Sequence, residues 1–398
     1  MTALARSRIA AVDVTVVNIP YEAPTISSSL YARPGISRTL VQVRTDDGLV
    51  GLGEGMNGDV LAEQVRAAAQ DLLGEDPFRL EYLLHRLLVE RGHRPHAVSV
   101  LEFALWDIMG QACGRPVYDL LGGRFRERVP ICGVLLFREL GPIGKGGEQT
   151  PEAIAGQAKD IVERFGFPVL KWKAGVRDLD TDLQVMNLVR DAVGPNVKLR
   201  IDPNSVWGVD EAVSIIKQMQ PLGLEWVEDP CKTLEGLAAA RLQVDTPFAS
   251  DGVAGKPAAL PRVAEAKAVD VAKADTAAQG GLLGFQRFAT VAEACGLGVS
   301  MHCSAELGVA TAARLHLLAA TPNQVYAVDH TCWWHGDDVI QGGMATFFGS
   351  QRDGCMAPPD APGLGVRLDE EKVARYAELH AAEGDYQSQA THGGGRRW

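Results

Sequence analysis

A chain of 398 residues is long enough for two domains or for one large barrel with additions. Its 46% hydrophobic and 22% charged content is that of a globular protein with a sizeable core. A formal net charge of −11, without a lysine- or arginine-rich run, points away from nucleic acid and from anionic membranes as partners. An acidic small molecule stays open, because the local field at a site counts for more than the total.

Seven cysteines (Cys113, Cys132, Cys231, Cys295, Cys303, Cys332 and Cys355) are scattered, odd in number and without a CxxC pair. That usage favours reduced thiols in a cytoplasmic protein over a disulfide framework or a zinc site. The opening stretch MTALARSRIAAVDVTVVNIP has its apolar run broken by Asp13 and shows no cleavage pattern, so no signal peptide is expected. No uncharged apolar run approaches the length of about 18 residues that a membrane span needs.

In chain order, residues 9–20 and 37–55 read as β-branched strands, the second stretch folding back at Asp46-Asp47-Gly48. Residues 59–73, 79–92 and 96–114 repeat apolar positions at helical spacing, the last closed by Gly114. This is an α+β unit, taken as residues 1–125. A different rhythm then begins. Short apolar runs at 129–137, 169–174, 197–203, 224–230, 247–252, 269–275, 297–303 and 324–330 alternate with helical patterns. Eight strands alternating with helices are the signature of a parallel β/α barrel over residues 126–345. A doubly wound open sheet also alternates, but eight regular repeats favour closure. The Gly/Pro-rich segment 346–398 breaks the pattern, and its end, THGGGRRW, is expected to be loose.

In such a barrel the functional side chains come from the C-terminal ends of the strands. Those ends carry Lys171 and Lys173 on the second strand, Asp202 on the third, Glu228 on the fourth and Asp251 on the fifth. The sixth offers Lys273 and Asp275, the seventh His302, and the eighth Asp329 and His330. Three carboxylates from consecutive strands, converging without an internal counter-charge, repel one another. A hard divalent cation resolves this, and all-oxygen ligands suit Mg2+ better than zinc. Asp202, Glu228 and Asp251 are therefore the candidate metal ligands.

Lys171 and Lys173 are two apart and share a strand face. On an edge strand they would be snorkelling surface lysines, but a barrel has no edge. A positive neighbour depresses a lysine's pKa, so Lys171 and the cation would ready Lys173 to act as a base. Asp275 lies at the right depth to bind the His302 imidazole and fix its tautomer. A lone histidine in an apolar strand is more often a hydrogen-bonded core residue, and His330 is balanced between that role and a place in the ligand pocket. Arg33 and Arg38, in the stretch YEAPTISSSLYARPGISRT, could hold a distal carboxylate by paired hydrogen bonds or could be solvated loop arginines.

With VLKWKA, RIDPNSVW, VEDPC, ADTAAQGGLLG, VDHTCWWH and PGLGVRLD in order, and GLVGLGEG and LEFALWDIMGQACGRPVYDLLGG ahead of them, the chain resembles the enolase superfamily. Within it the likeness is to the mandelate racemase subgroup and its acid-sugar dehydratases of the glucarate dehydratase type. The resemblance covers nearly the whole chain. It implies an α/β fold: a (β/α)7β modified TIM barrel under an α+β capping domain, the C-terminal segment returning to the cap. It implies Mg2+ held by Asp202, Glu228 and Asp251, Lys173 as one base and the His302–Asp275 dyad as the other. Asn204, Asp329, His330 and Arg33 would be substrate contacts, and a homo-oligomer is implied. Two positions differ from the glucarate dehydratase pattern. Asp251 stands where those enzymes have Asn, and Asp329-His330-Thr331-Cys332 stands where they have Asp-Thr-His-Trp.

The chemistry so implied starts with removal of a proton α to a carboxylate, with Mg2+ and Lys171 stabilising the charge that develops. Dehydration of an aldarate or aldonate would follow if protonated His302 assists loss of the β-hydroxyl, giving a 2-keto-3-deoxy acid. Racemisation or epimerisation would follow if Lys173 and His302 serve opposite faces of one carbon. A metal-binding barrel without catalysis is the third reading. The likeness along the chain favours dehydration.

Overall fold

Long β-branched runs pair locally at the start of the chain. Strands Ile9–Ile26 and Tyr31–Thr45 pair antiparallel, and the second turns back into Val50–Met56. Gly48, at φ +92°, makes that turn, donating its N–H to Thr45 O at 3.1 Å. Helices Gly58–Ala69 and Pro95–Cys113 pack on the sheet. Gly51 and Gly53 permit the close approach: a Cβ at either would stand 2.0 Å from the Ala104 or Val100 carbonyl oxygen of the long helix. Gly114 ends that helix in the left-handed conformation, as its sequence predicts. The helix expected over 79–92 is instead an α-helix, Leu80–His85, continued by a π turn, Arg86–Glu90. This computed structural model describes residues 7–26, 31–349, 352–386 and 389–390; THGGGRRW lies outside them.

Eight parallel strands form a nearly closed barrel. They are Val129–Leu135, Val169–Lys173, Lys198–Asp202, Leu224–Glu228, Phe248–Ser250, Val271–Ala274, Gly298–Met301 and Val328–His330. Each pairs with its neighbour from the first to the seventh, and the eighth pairs with the first. Helices Pro151–Phe165, Leu179–Val193, Val209–Met219, Leu234–Arg241, Leu260–Glu265, Leu282–Ala294 and Gly308–Ala320 link successive strands. The eighth strand is followed by no such helix among the described residues, which is the (β/α)7β arrangement. The fifth linker is short because Pro257 and Pro261 break its pattern into a 3-10 turn, Pro257–Ala259, and six helical residues.

One expected strand is divided. The run 129–137 leaves the barrel after Leu135, and Phe137–Arg138 joins the cap sheet against Thr25–Ile26. The segment after the eighth strand first pairs Cys355–Met356 with the entry end of the first strand. It then forms helix Glu370–Glu383, packed on Ile9–Ile26, and Gly384 O accepts from Asn18 Nδ2 at 2.8 Å. No described helix is long and apolar enough to cross a membrane.

Two cap carboxylates dock onto barrel helices at their N-termini, where backbone N–H groups lack partners. Glu102, fully buried, accepts from Leu282 N at 2.9 Å, Leu283 N at 3.0 Å and Trp106 Nε1 at 2.8 Å. Burial pushes its carboxyl up to about 7, against those three donors. Glu54 accepts from Leu307 N and Ala310 N, both at 2.8 Å, at the start of helix Gly308–Ala320. Replacing Glu102 by Leu strands three donors, two of them buried, and we expect a loss of about 3 kcal/mol or more, read as a lowered urea midpoint. A midpoint unchanged from wild type would reject Glu102 as a docking residue.

Candidate active site

Strand pleat decides which side chains meet inside the barrel. Lys171 and Lys173, Arg200 and Asp202, and the inward residues Lys273 and Asp329 all follow from period two. Lys171 Nζ lies 2.5 Å from Asp329 Oδ2, 3.1 Å from Glu228 Oε2 and 3.4 Å from Asp202 Oδ2. Lys273 Nζ bonds Glu228 and reaches Asp329 Oδ2 at 2.7 Å. Arg200 stacks over Trp226 at 3.5 Å and lies 3.6 Å from Asp329 Oδ1. Lys171, Lys273, Arg200, Asp202, Glu228 and Asp329 are all at most 1% exposed.

The sequence-based expectation of carboxylates without a counter-charge is therefore corrected: lysines of the second and sixth strands stand between them. Burial alone would strip the proton from Lys171, but Asp329, Glu228 and Asp202 outweigh it and hold its pKa well above the ordinary lysine value. Lys273 is raised for the same reasons, burial opposing and Asp329 and Glu228 prevailing. Both are fixed ammonium groups.

Lys173 is nearer the mouth. It contacts Asp202 directly and lies 3.5 Å from Asn204 Oδ1, while Asn204 N donates to Asp202 Oδ1 at 2.9 Å. Asn204 and Ser205 both have positive φ, +51° and +64°, and so does Asp229, at +39°. Non-glycine residues in that region carry strain, here gathered where the third and fourth strands end. Asp229, which the sequence reading passed over, braces the fifth strand's loop by accepting from Asp251 N at 3.0 Å and Gly252 N at 3.2 Å. Burial and then the neighbouring Asp251 push its carboxyl well up, whereas Asp251 is held low: burial opposes this, but the His302 charge and the hydrogen bond with Asp229 prevail.

His302 Nδ1 lies 3.6 Å from Asp275 Oδ2, and His302 Nε2 lies 3.8 Å from Asp251 Oδ2. Asp275 also accepts from Ser304 Oγ at 2.6 Å and Ala277 N at 2.8 Å. Burial would raise the Asp275 carboxyl, but the facing His302 imidazole and the Arg314 guanidinium hold it far below the usual carboxylate range.

A cavity of about 220 Å3 opens above this floor, lined by Lys171, Lys173, Asn204, His302 and Ser304 from the barrel. The cap contributes Tyr21, Arg33, Ile36 and Met56, and the turn after the eighth strand adds Thr331 and Trp334. Tyr21 stacks on His335 and meets Trp334 edge-on, pinning cap to barrel beside the cavity. Arg33, Asn204, Lys171, Lys173 and His302 are thus brought together. Asp202 and Glu228 lie beneath, and Asp251 stands to one side against His302.

Three expected substrate contacts are placed elsewhere. Asp329 is buried under the lysines rather than facing the cavity. His330 is a core histidine, its Nδ1 accepting from Cys332 N at 3.0 Å and its Nε2 3.1 Å from Thr311 Oγ1. Arg38, 2% exposed, turns inward to Glu54 and does not line the cavity. Tyr21, Met56, Thr331 and Trp334 were missed because only the tertiary fold carries them to the mouth.

Removing one partner from a buried ion network leaves the others uncompensated. Lys273→Met should cost about 3–5 kcal/mol of stability, measured by denaturant unfolding. A loss below 1 kcal/mol would show that Lys171 and Arg200 neutralise the carboxylates alone.

Comparison with known proteins fits this architecture. Residues 11–122 match the N-terminal domain of the mandelate racemase / muconate lactonizing enzyme family, and residues 153–372 match the enolase C-terminal domain-like family. A probable glucarate dehydratase of Streptomyces coelicolor is 30% identical over 92% of this chain and 90% of its own length. Muconate cycloisomerase 1-1 of Acinetobacter lwoffii is 31% identical over 86% of this chain and 89% of its own. An enolase of Thermobispora bispora, crystallised with magnesium and formate, superposes with a TM-score of 0.89 at 32% identity, covering 96% of this chain and 95% of that one. The chain is an enzyme of the enolase superfamily and belongs to its mandelate racemase subgroup.

Proposed function

We propose that the protein dehydrates an acid sugar, taking the proton α to a carboxylate and expelling the β-hydroxyl to leave a 2-keto-3-deoxy acid. The observation that carries this is one cavity lined by both Lys173 and His302, over a floor of buried carboxylates with fixed ammonium groups. The overall likeness to a probable glucarate dehydratase supports the reaction.

The donor set suits a hard dication. Asp202, Glu228 and Asp251 offer only carboxylate oxygen, they end consecutive strands, and the first two already gather ammonium groups about them. These three residues would hold Mg2+, which when bound supplies positive charge to the substrate carboxylate. Lys171, kept protonated by its anionic surroundings, donates hydrogen bonds to the carboxylate oxygens as the α-carbon loses its proton. Lys173 Nζ accepts that proton when it is uncharged. Asp275 orients the His302 imidazole, and His302 Nε2–H gives its proton to the departing hydroxyl, which leaves as water. The C–O bond breaks, the enol forms, and a proton returned to C3 completes the keto acid.

A second reading, epimerisation of a 2-hydroxy carboxylate, rests on the same cavity. Lys173 comes from the second strand and His302 from the seventh, so the two can serve opposite faces of one carbon. A panel of aldarates and aldonates, with and without Mg2+, separates the readings. Keto acid formed only with Mg2+ is the expected result. Solvent deuterium entering recovered substrate without keto acid would replace dehydration by epimerisation.

Two substitutions test the assignments. Lys173→Ala should abolish turnover while Mg2+ affinity, measured by calorimetry, stays near wild type; retained turnover removes Lys173 as a base. Glu228→Gln should weaken Mg2+ binding by about 10-fold or more. Unchanged affinity would take Glu228 out of the ligand set.

A further inference from the structure

Arg38 and Glu54 lie on adjacent cap strands with their side chains buried, facing the loop that carries His302. Arg38 Nε and Nη2 bond Glu54 Oε1 at 2.8 and 2.7 Å. Glu54 spends both oxygens on the barrel as well, accepting from Leu307 N and Ala310 N. Helix docking needs no more than that. Yet the third arm of the guanidinium passes Glu54, and Nη1 donates to Ser304 O at 2.8 Å.

Ser304 is the residue whose hydroxyl bonds Asp275 at 2.6 Å, and Asp275 faces His302. The same loop is held from the barrel side, where Ser304 N donates to Glu306 Oε1 at 2.7 Å and Arg314 bonds both Glu306 and His302 O. Between those anchors Ala305 sits at φ +54°, a conformation an alanine keeps only when its surroundings impose it. A small cavity of about 50 Å3, lined by Arg38, Glu54, Asp275, Ser304, Glu306 and Arg314, joins the two sets of anchors.

We propose that the Arg38–Glu54 pair is a positioning device: by gripping Ser304 and Leu307 from the cap, it fixes the 302–307 loop so that Asp275 and His302 present the imidazole to the cavity. The claim rests on the proton-transfer reading above for its catalytic meaning, but the grip on the loop stands independently. A docked cap is then a condition for the His302 side of the site and has no such bearing on Lys173, whose strand makes no bond to Arg38 or Glu54 among the described residues.

The test compares wild type with Arg38→Met, Arg38→Lys and His302→Asn. D- and L-tartrate with Mg2+ are the probes, since the two enantiomers can present their α-protons to opposite faces. In deuterated water, loss of α-exchange or of keto-acid formation in His302→Asn identifies the enantiomer served by His302. For that enantiomer Arg38→Met should lower the same rate about 10- to 100-fold without raising KM, Arg38→Lys should recover part of the loss, and the other enantiomer should react at the wild-type rate. A raised KM with unchanged maximal rate, or equal loss for both enantiomers, overturns the proposal. Amide deuterium exchange of segment 302–307, read by mass spectrometry without any substrate, should quicken in Arg38→Met while segment 169–173 is unaffected. Unchanged protection of 302–307 also overturns it. Absence of both α-exchange and keto acid from both tartrates in wild type counts against proton abstraction, and the loop measurement then decides the positioning by itself.

Discussion

Everything at the mouth of this barrel depends on charges held away from water. Within the nearly closed ring of strands, Lys171 and Lys273 are held by Glu228 and Asp329, Lys171 also lies 3.4 Å from Asp202, and Arg200 stands 3.6 Å from Asp329. Ionic groups in such surroundings are costly alone and tolerable only together. The network therefore imposes order. Each ammonium has one place to be and Lys171 stays protonated, so that in the proposed reaction its N–H groups would be oriented before the substrate carboxylate arrives. The strands supply this by pleat alone, since inward positions two apart bring lysine above lysine and aspartate above arginine.

The cap uses the same physics in a milder form. Glu102 and Glu54 are carboxyl groups seated on helix N-termini, where otherwise unpaired N–H groups donate to their oxygens. At Glu102 a glycine makes the seat possible: a Cβ on Gly281, at φ +128°, would stand 2.3 Å from the carboxylate. Asp107 adds a third tie by accepting from Leu52 N and Leu364 N, joining the cap sheet to the returning C-terminal segment. Cap and barrel are thus joined by directional bonds as well as by apolar area, and the cavity wall formed by Tyr21, Ile36 and Met56 is set accurately over the floor.

Much of this was legible in the linear chain, because a β/α barrel writes its site at one repeated place. The strand ends bearing Lys171, Lys173, Asp202, Glu228, Asp251, Asp275 and His302 could be read from period and punctuation, and so could the cap hairpin and the helix closed by Gly114. What could not be read depends on partners distant in sequence. Lys273 sat in plain view, but nothing local says that it reaches Glu228 and Asp329 across the barrel. Arg38 reads equally as a carboxylate binder or a solvated loop arginine, and only pairing of Tyr31–Thr45 with Val50–Met56 turns it toward Glu54. Asp329 and His330 occupy the right strand end, yet one is drawn down by lysines and the other is taken up by Thr311 and the Cys332 amide. The break after Leu135 follows from competition between two sheets for one run of apolar residues.

The return of helix Glu370–Glu383 to strand Ile9–Ile26 has a temporal meaning. Asn18 and Gly384, bonded in the folded protein, are 366 positions apart, so a ribosome makes the strand long before its covering helix exists. The hairpin can pair at once, but one face must wait until the whole barrel has been synthesised. Such remote closure slows folding and leaves apolar surface open to wrong partners meanwhile. Joining strand to helix is in that sense a late event, completed only once residues 370–384 have been made.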